Sequence, residues 1–137
     1  MTSASNKKAL AIQKGIRQAE DDLVTYIQEA LDKKESYGDL KSSQFRNLVQ
    51  VSYNTESAEV IKNFLRYQVG RDTRKWGRGE GSLSETIISD IDSKIKEKAK
   101  AIKEIAEAED HKSIWVQLIR LYLGYGARHL MYLRPEK

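Results

Sequence analysis

The sole proline of this chain is Pro135, and no glycine falls between Gly15 and Gly38 or between Gly81 and Gly124. Proline removes a backbone donor and glycine costs backbone entropy, so they are the residues that most readily interrupt a helix. Two long stretches are therefore free to stay helical. Over residues 6–34, Ala9, Ile12, Ile16, Ala19, Leu23, Tyr26, Ile27 and Ala30 recur at steps of three and four, the spacing of one apolar helix face. That predicts an amphipathic helix of about eight turns, with Ser5 or Asn6 as its cap. Ser-Tyr-Gly-Asp at 36–39 ends it.

The same periodicity continues downstream. Ser42 or Ser43 opens a short helix carrying Phe45, Leu48 and Val49. Asn54 and Thr55 cap a third, whose Val60, Ile61, Phe64, Leu65, Gln68 and Val69 wind to Gly70, a natural C-terminal glycine. Residues 71–81, RDTRKWGRGEG, read as a basic loop. Ser82 followed by Glu85 forms a capping-box pattern, and Leu83, Ile87, Ile88, Ile91, Ile95, Ile102 and Ile105 mark a stripe reaching about residue 109. The last segment, SIWVQLIRLYLGYGARHLMYL, starts at Asp110 or Ser113 and is apolar nearly all round, as a central helix should be. No period-two run is found. The expectation is an all-α, single-domain bundle of about five helices, two of them long, with at least 65% helix.

Several function classes are excluded or disfavoured by what the chain carries. At 137 residues, with 39% hydrophobic and 32% charged residues, it suits one folded domain and not a disordered tail. The longest nearly apolar run, 114–123, contains Gln117 and Arg120 and is too short to span a bilayer. No membrane association and no secretory signal are expected, since the opening lysines precede no apolar segment. The sequence has no cysteine, which removes disulfides, thiolate zinc sites and cysteine nucleophiles and accords with a cytoplasmic location. The two histidines, His111 and His129, lie in no metal-binding pattern. The G-x-G-x-G of Gly77, Gly79 and Gly81 precedes a helix but follows no strand, which argues against a nucleotide fingerprint. Glu20-Asp21-Asp22 reads as a solvated helix face. No enzyme activity and no cofactor are expected.

Charge is uneven along the chain. The net charge is +4, yet residues 62–81 alone carry +4 and 111–137 another +4, against −3 over 82–110. Clustered basicity is the footprint of a polyanion-binding surface. In the first island Lys62, Arg66 and Gly70 share one helix face and lead into Arg71, Arg74, Lys75 and Arg78. Trp76, amid these cations, either stacks on an unpaired base or closes the core. In the second island Ser113, Gln117, Arg120, Gly124 and Arg128 fall within an arc of roughly 80°, so Arg120 and Arg128 flank a glycine along the one polar strip. Guanidinium forks match phosphate oxygens there. The competing reading pairs Arg120 and Arg128 with acids and lets Gly124 admit a crossing helix. Tyr122, Tyr125 and Tyr132 lie off this arc and belong to core and interface.

The run Ser42-Ser43-Gln44-Phe45-Arg46-Asn47, then Phe64-Leu65-Arg66-Tyr67-Gln68-Val69-Gly70-Arg71, then an aromatic-rich final helix resembles the Csm-type small subunit of type III CRISPR effector complexes. The likeness is clear over the middle third of the chain and a matter of pattern at the ends. It implies a non-catalytic helical bundle that stacks in several copies along a ribonucleoprotein with other subunits. Such subunits hold guide and target RNA through backbone contacts and so contribute to antiviral defence. By this resemblance Arg46, Arg66 and Arg71 face RNA. The 72–81 loop is longer and richer in glycine than that pattern.

Two readings of function follow. In the first, the chain is a sequence-independent RNA-binding structural subunit. In the second, it is a helical scaffold or adaptor whose basic islands meet acidic protein partners. A helical DNA-binding regulator lacks a visible helix-turn-helix. The apolar breadth of the last helix also predicts that Trp115, Tyr122 or Tyr132 is buried against another chain.

Overall fold

The computed structural model describes residues 3–135. Of these, 81% are helical and none lies in a strand. The first long helix, α1 (Ala4–Asp32), is capped by the Ser3 hydroxyl, which accepts from the Asn6 amide, and leads into a 3-10 turn, Lys34–Ser36. Next come α2 (Ser42–Tyr53), α3 (Ala58–Arg71) and a single turn, α4 (Thr73–Trp76). The second long run is continuous from 83 to 106: α5 (Leu83–Asp90), a π-helical turn (Ile91–Ile95) and α6 (Lys96–Ala106). The chain finishes on α7 (Lys112–Leu133). Among the described residues no helix is long and apolar enough to cross a membrane.

The helices start where local polar groups satisfy their free amides, which is why several begin a few residues from the expected position. Ser57, not Asn54 or Thr55, caps α3 by accepting from the Val60 amide. The expected cap at Ser82 holds: its hydroxyl accepts from the Glu85 amide at 3.2 Å. The 71–81 segment is the larger correction. Only its second half is a loop, because Arg71 still belongs to α3 and Asp72 caps a further turn, accepting from the Arg74 amide at 3.1 Å.

α7 is the central element, packed against α1, α2 and α6. Its crossing with α1 and α2 is tight at Gly126, where an added Cβ would sit 2.7 Å from Phe45 and 2.8 Å from Ile27. Gly124, the glycine expected to admit a neighbour, has open space around it. Trp115 and Tyr122 are 8% and 0% exposed within this chain alone. The expectation that either is buried between chains is therefore corrected; α1, α2 and α6 already cover α7. Tyr132, at 78% exposure, is left outside. Ile105 also leaves the expected stripe and is 82% exposed, because the π turn inserts an extra residue's worth of rotation before α6. That turn is locked from the core by the Trp115 indole, which donates to the Ile91 carbonyl at 2.7 Å.

Candidate nucleic-acid interface

The basic turn α4 is held by its backbone as well as by its side chains. Trp76 plugs it into the core, 1% exposed, with its ring 5.6 Å from that of Phe45. Of the two expectations for Trp76, core packing is the one the fold realises. The turn's carbonyls then receive two backbone bonds, from the Gly38 amide to Lys75 and from the Asp39 amide to Arg74. Gly38 is required at this contact, since a Cβ there would collide with the Arg74 carbonyl oxygen. The 38–40 segment is itself clamped by Arg134, the residue that ends α7, which donates to the Gly38 and Leu40 carbonyls and lies over the Tyr37 ring. The cations between 71 and 78 thus project from a braced platform.

Most of those cations are available. Arg66, Arg71 and Arg78 are exposed, and among the described residues none of the three forms an ion pair. The Arg74 side chain is 91% exposed, with only a 3.6 Å approach to the Asp72 carboxylate. Lys75 is half-buried, its ammonium 3.5 Å from the Asp39 carbonyl. Arg66 and Arg78 both line an open cleft of about 220 Å³, together with Val69, Gly70, Gly79 and Glu85. Gly70 and Gly79 have nothing within 4 Å of where a Cβ would be, so a ligand's approach to the backbone is unobstructed. Glu85 is the one carboxylate at this cleft. Arg78 also borders a second recess reaching to Gly38 and Ser82.

Two expected members of the surface are used elsewhere. Lys62 is 5% exposed, its ammonium 2.7 Å from Asp92 and 2.9 Å from Glu59, with the Trp115 ring 6.0 Å away. Burial works against its charge, but the bonds it donates to Asp92 and Glu59 outweigh it, so its pKa lies above the ordinary lysine value. Arg120 donates to the Ser52 carbonyl at 2.7 Å, the Thr55 carbonyl at 2.8 Å and the Glu56 carboxylate at 3.1 Å. Lys62 and Arg120 are therefore withdrawn from the candidate set, because Lys62 is buried between two carboxylates and Arg120 is engaged by two carbonyls and a carboxylate of the protein. Arg128 is exposed but lies apart, beside Val24 and Gln28 of α1 and against the Tyr125 ring. Its neighbourhood carries acids: Tyr125 donates to Glu20, and His129 lies 2.8 Å from Asp32. Burial first, and then the Glu20 carboxylate, push the Tyr125 hydroxyl up to about 12. Arg46 is exposed on α2, outside both recesses bordered by Arg78.

One residue absent from the sequence-based set belongs with these arginines. Tyr67 is 54% exposed on α3, with the Arg71 guanidinium 5.7 Å from its ring centroid. Its signal was present: Ala58, Ile61, Lys62, Leu65 and Val69 turn inward, and Tyr67 falls off that stripe. Comparison with known protein families, with curated proteins and with solved structures yields no match to this chain.

Proposed function

We propose that this chain is a non-catalytic, cytoplasmic subunit of a ribonucleoprotein that holds RNA by its sugar–phosphate backbone without reading sequence, in the manner of the type III CRISPR small subunit it resembles. The observation carrying this reading is the set of four exposed arginines, Arg66, Arg71, Arg74 and Arg78, on the braced α3–α4 platform. Exposed guanidiniums with few protein acceptors, here among the described residues only the Asp72 carboxylate 3.6 Å from Arg74, gain most from a ligand that brings its own acceptors, and phosphate oxygens accept their forks bidentately. A glycine-lined cleft between two of them lets a strand approach closely. Backbone contacts of this type position a strand but carry no sequence information.

Other subunits are the second class of partner in this proposal. Leu10 and Ile105, 67% and 82% exposed, lie on α1 and α6, whose Gly15 and Ile102 line an apolar groove that ends at Ile105. This seam is the apolar face offered to those subunits. The test is fluorescence anisotropy of the full chain against single-stranded RNAs of unrelated sequence, with heparin as the non-nucleic polyanion. Similar affinity across the RNAs, lost when the four arginines become glutamine, supports the proposal. Normal RNA binding by that variant with loss of a protein partner moves the platform to the scaffold reading. Incubation with RNA and magnesium is expected to leave the RNA intact.

A further inference from the structure

We infer that Tyr67 is a stacking platform for an unpaired base of the bound strand, so that the α3 surface takes single-stranded or locally unstacked RNA in preference to a continuous duplex. This rests on the RNA reading above and extends it from the phosphate side of the strand to the bases.

Three tyrosines are strongly exposed, and their surroundings differ. Tyr53 lies beside Arg120, which already donates to the Ser52 and Thr55 carbonyls and to the Glu56 carboxylate. Tyr132 stands beside His129, which is paired with Asp32, so a phosphate drawn there would meet a carboxylate. Tyr67 shares its helix with Arg66 and Arg71, which have no ion pair among the described residues. Phe64, one turn earlier, is partly buried against the core and approaches Tyr67 at 6.0 Å and 45°. A half-anchored neighbour on one side and a guanidinium on the other restrict the phenol ring, which has only two side-chain torsions to lose. A strand whose phosphates lie across Arg66 and Arg78 has its bases free to turn toward this ring. Stacking is tolerant of sequence, because every base presents a π face. The inference therefore leaves the sequence-blind character of the proposal intact.

The experiment compares dye-labelled 12-mer RNA, the same 12-mer with abasic sites throughout its centre, and the fully paired duplex, bound to the wild type, Tyr67→Ala, Tyr67→Phe and Arg66→Gln/Arg78→Gln. Circular dichroism melts establish that each variant is folded. The expected result is a loss of roughly ten- to a hundredfold for Tyr67→Ala on the intact single strand, near-wild-type binding by Tyr67→Phe, and no further loss for Tyr67→Ala on the abasic strand. The wild type should prefer the single strand to the duplex, and Tyr67→Ala should lose that preference. Equal losses on intact and abasic strands, or no loss at all, overturn the stacking role. If Arg66→Gln/Arg78→Gln still weakens every ligand in that case, the backbone reading survives. If the wild type binds none of the three RNAs, both fall together.

Discussion

Two arginines of the C-terminal region, Arg120 and Arg134, and four around α3 and α4, Arg66, Arg71, Arg74 and Arg78, look alike in sequence and do opposite things in the fold. Arg120 and Arg134 each reach two main-chain carbonyls: Ser52 in the last turn of α2 and Thr55 just after it for one, Gly38 and Leu40 before α2 for the other. Together they fasten both ends of α2 to the central helix. Arg66, Arg71, Arg74 and Arg78 meet almost no protein acceptors and point to solvent. The difference teaches that a cation's role depends on which carbonyls the fold leaves without partners. Helix α2 is short, and carbonyls of its last turn and of its flanking connections lie within reach of Arg120 and Arg134, so these two arginines are spent internally while Arg128 stays exposed. The α4 turn satisfies its own backbone through Asp72, Gly38 and Asp39, which leaves its side chains for something else.

The sharpest way to break this comparison is to remove one arginine from each side. Arg120→Gln should lower stability by about 3 kcal/mol, since hydrogen bonds from a charged donor are lost and partly buried acceptors are stranded. Arg74→Gln should change urea unfolding by less than about 0.5 kcal/mol, as exposed substitutions do. Equal effects from the two would show that the islands are not different in kind. Next in size is Gly38→Ala, expected to be destabilising by about 2 kcal/mol through overpacking against the Arg74 carbonyl. Because it shifts the platform without altering any charge, it should also weaken RNA binding; unchanged affinity would mean that the bracing of α4 is irrelevant to the site.

A third comparison sets a buried charge against the exposed ones. Asp90 accepts from Tyr122 at 2.7 Å and is 6% exposed. Burial raises its pKa above the ordinary 3.8, with the Tyr122 bond working the other way. A group raised in the folded state contributes stability that is complete below its unfolded value and is lost as pH rises through the folded one. Asp90→Asn keeps an acceptor for Tyr122 and removes the charge. Its stability relative to the wild type should grow as pH increases from about 3.8 and then level off. A difference that stays constant from pH 3.5 upward, in urea unfolding at roughly half-unit steps, would contradict this assignment.

Much of the fold was legible in the sequence because helix periodicity is a local property. The stripe on α1, the Gly81–Gly124 interval free of breakers and the cap at Ser82 all specify their elements without help from distant residues. The π turn at Ile91–Ile95 was not legible, as its stabilising partner, the Trp115 indole, is 24 residues away. The site divided in the same way. Arg66, Arg71, Arg74 and Arg78 stood out by local charge density, and their exposure follows from local helix geometry. Lys62 was misplaced because Asp92 lies on another element. Arg120 was misplaced for the same reason, its acceptors being 64 to 68 residues away. Tyr67 carries no charge signal of its own, and Trp76, the aromatic amid the loop cations, is sequestered by its contact with Phe45.

The central claim is that Arg66, Arg71, Arg74 and Arg78 meet phosphates while Arg120 meets protein. It is tested most directly by measuring RNA affinity from about 50 to 200 mM salt for the wild type, Arg66→Gln/Arg71→Gln/Arg74→Gln/Arg78→Gln, and Arg120→Gln. Each lost phosphate contact on a single strand should make log K against log salt shallower by about 0.7. The fourfold variant should therefore lose roughly 1.4 to 2.8 of slope, equally on unrelated sequences. Arg120→Gln should keep the wild-type slope while melting earlier. A fourfold variant with an unchanged slope, or an Arg120→Gln protein that loses slope at full stability, would contradict the account.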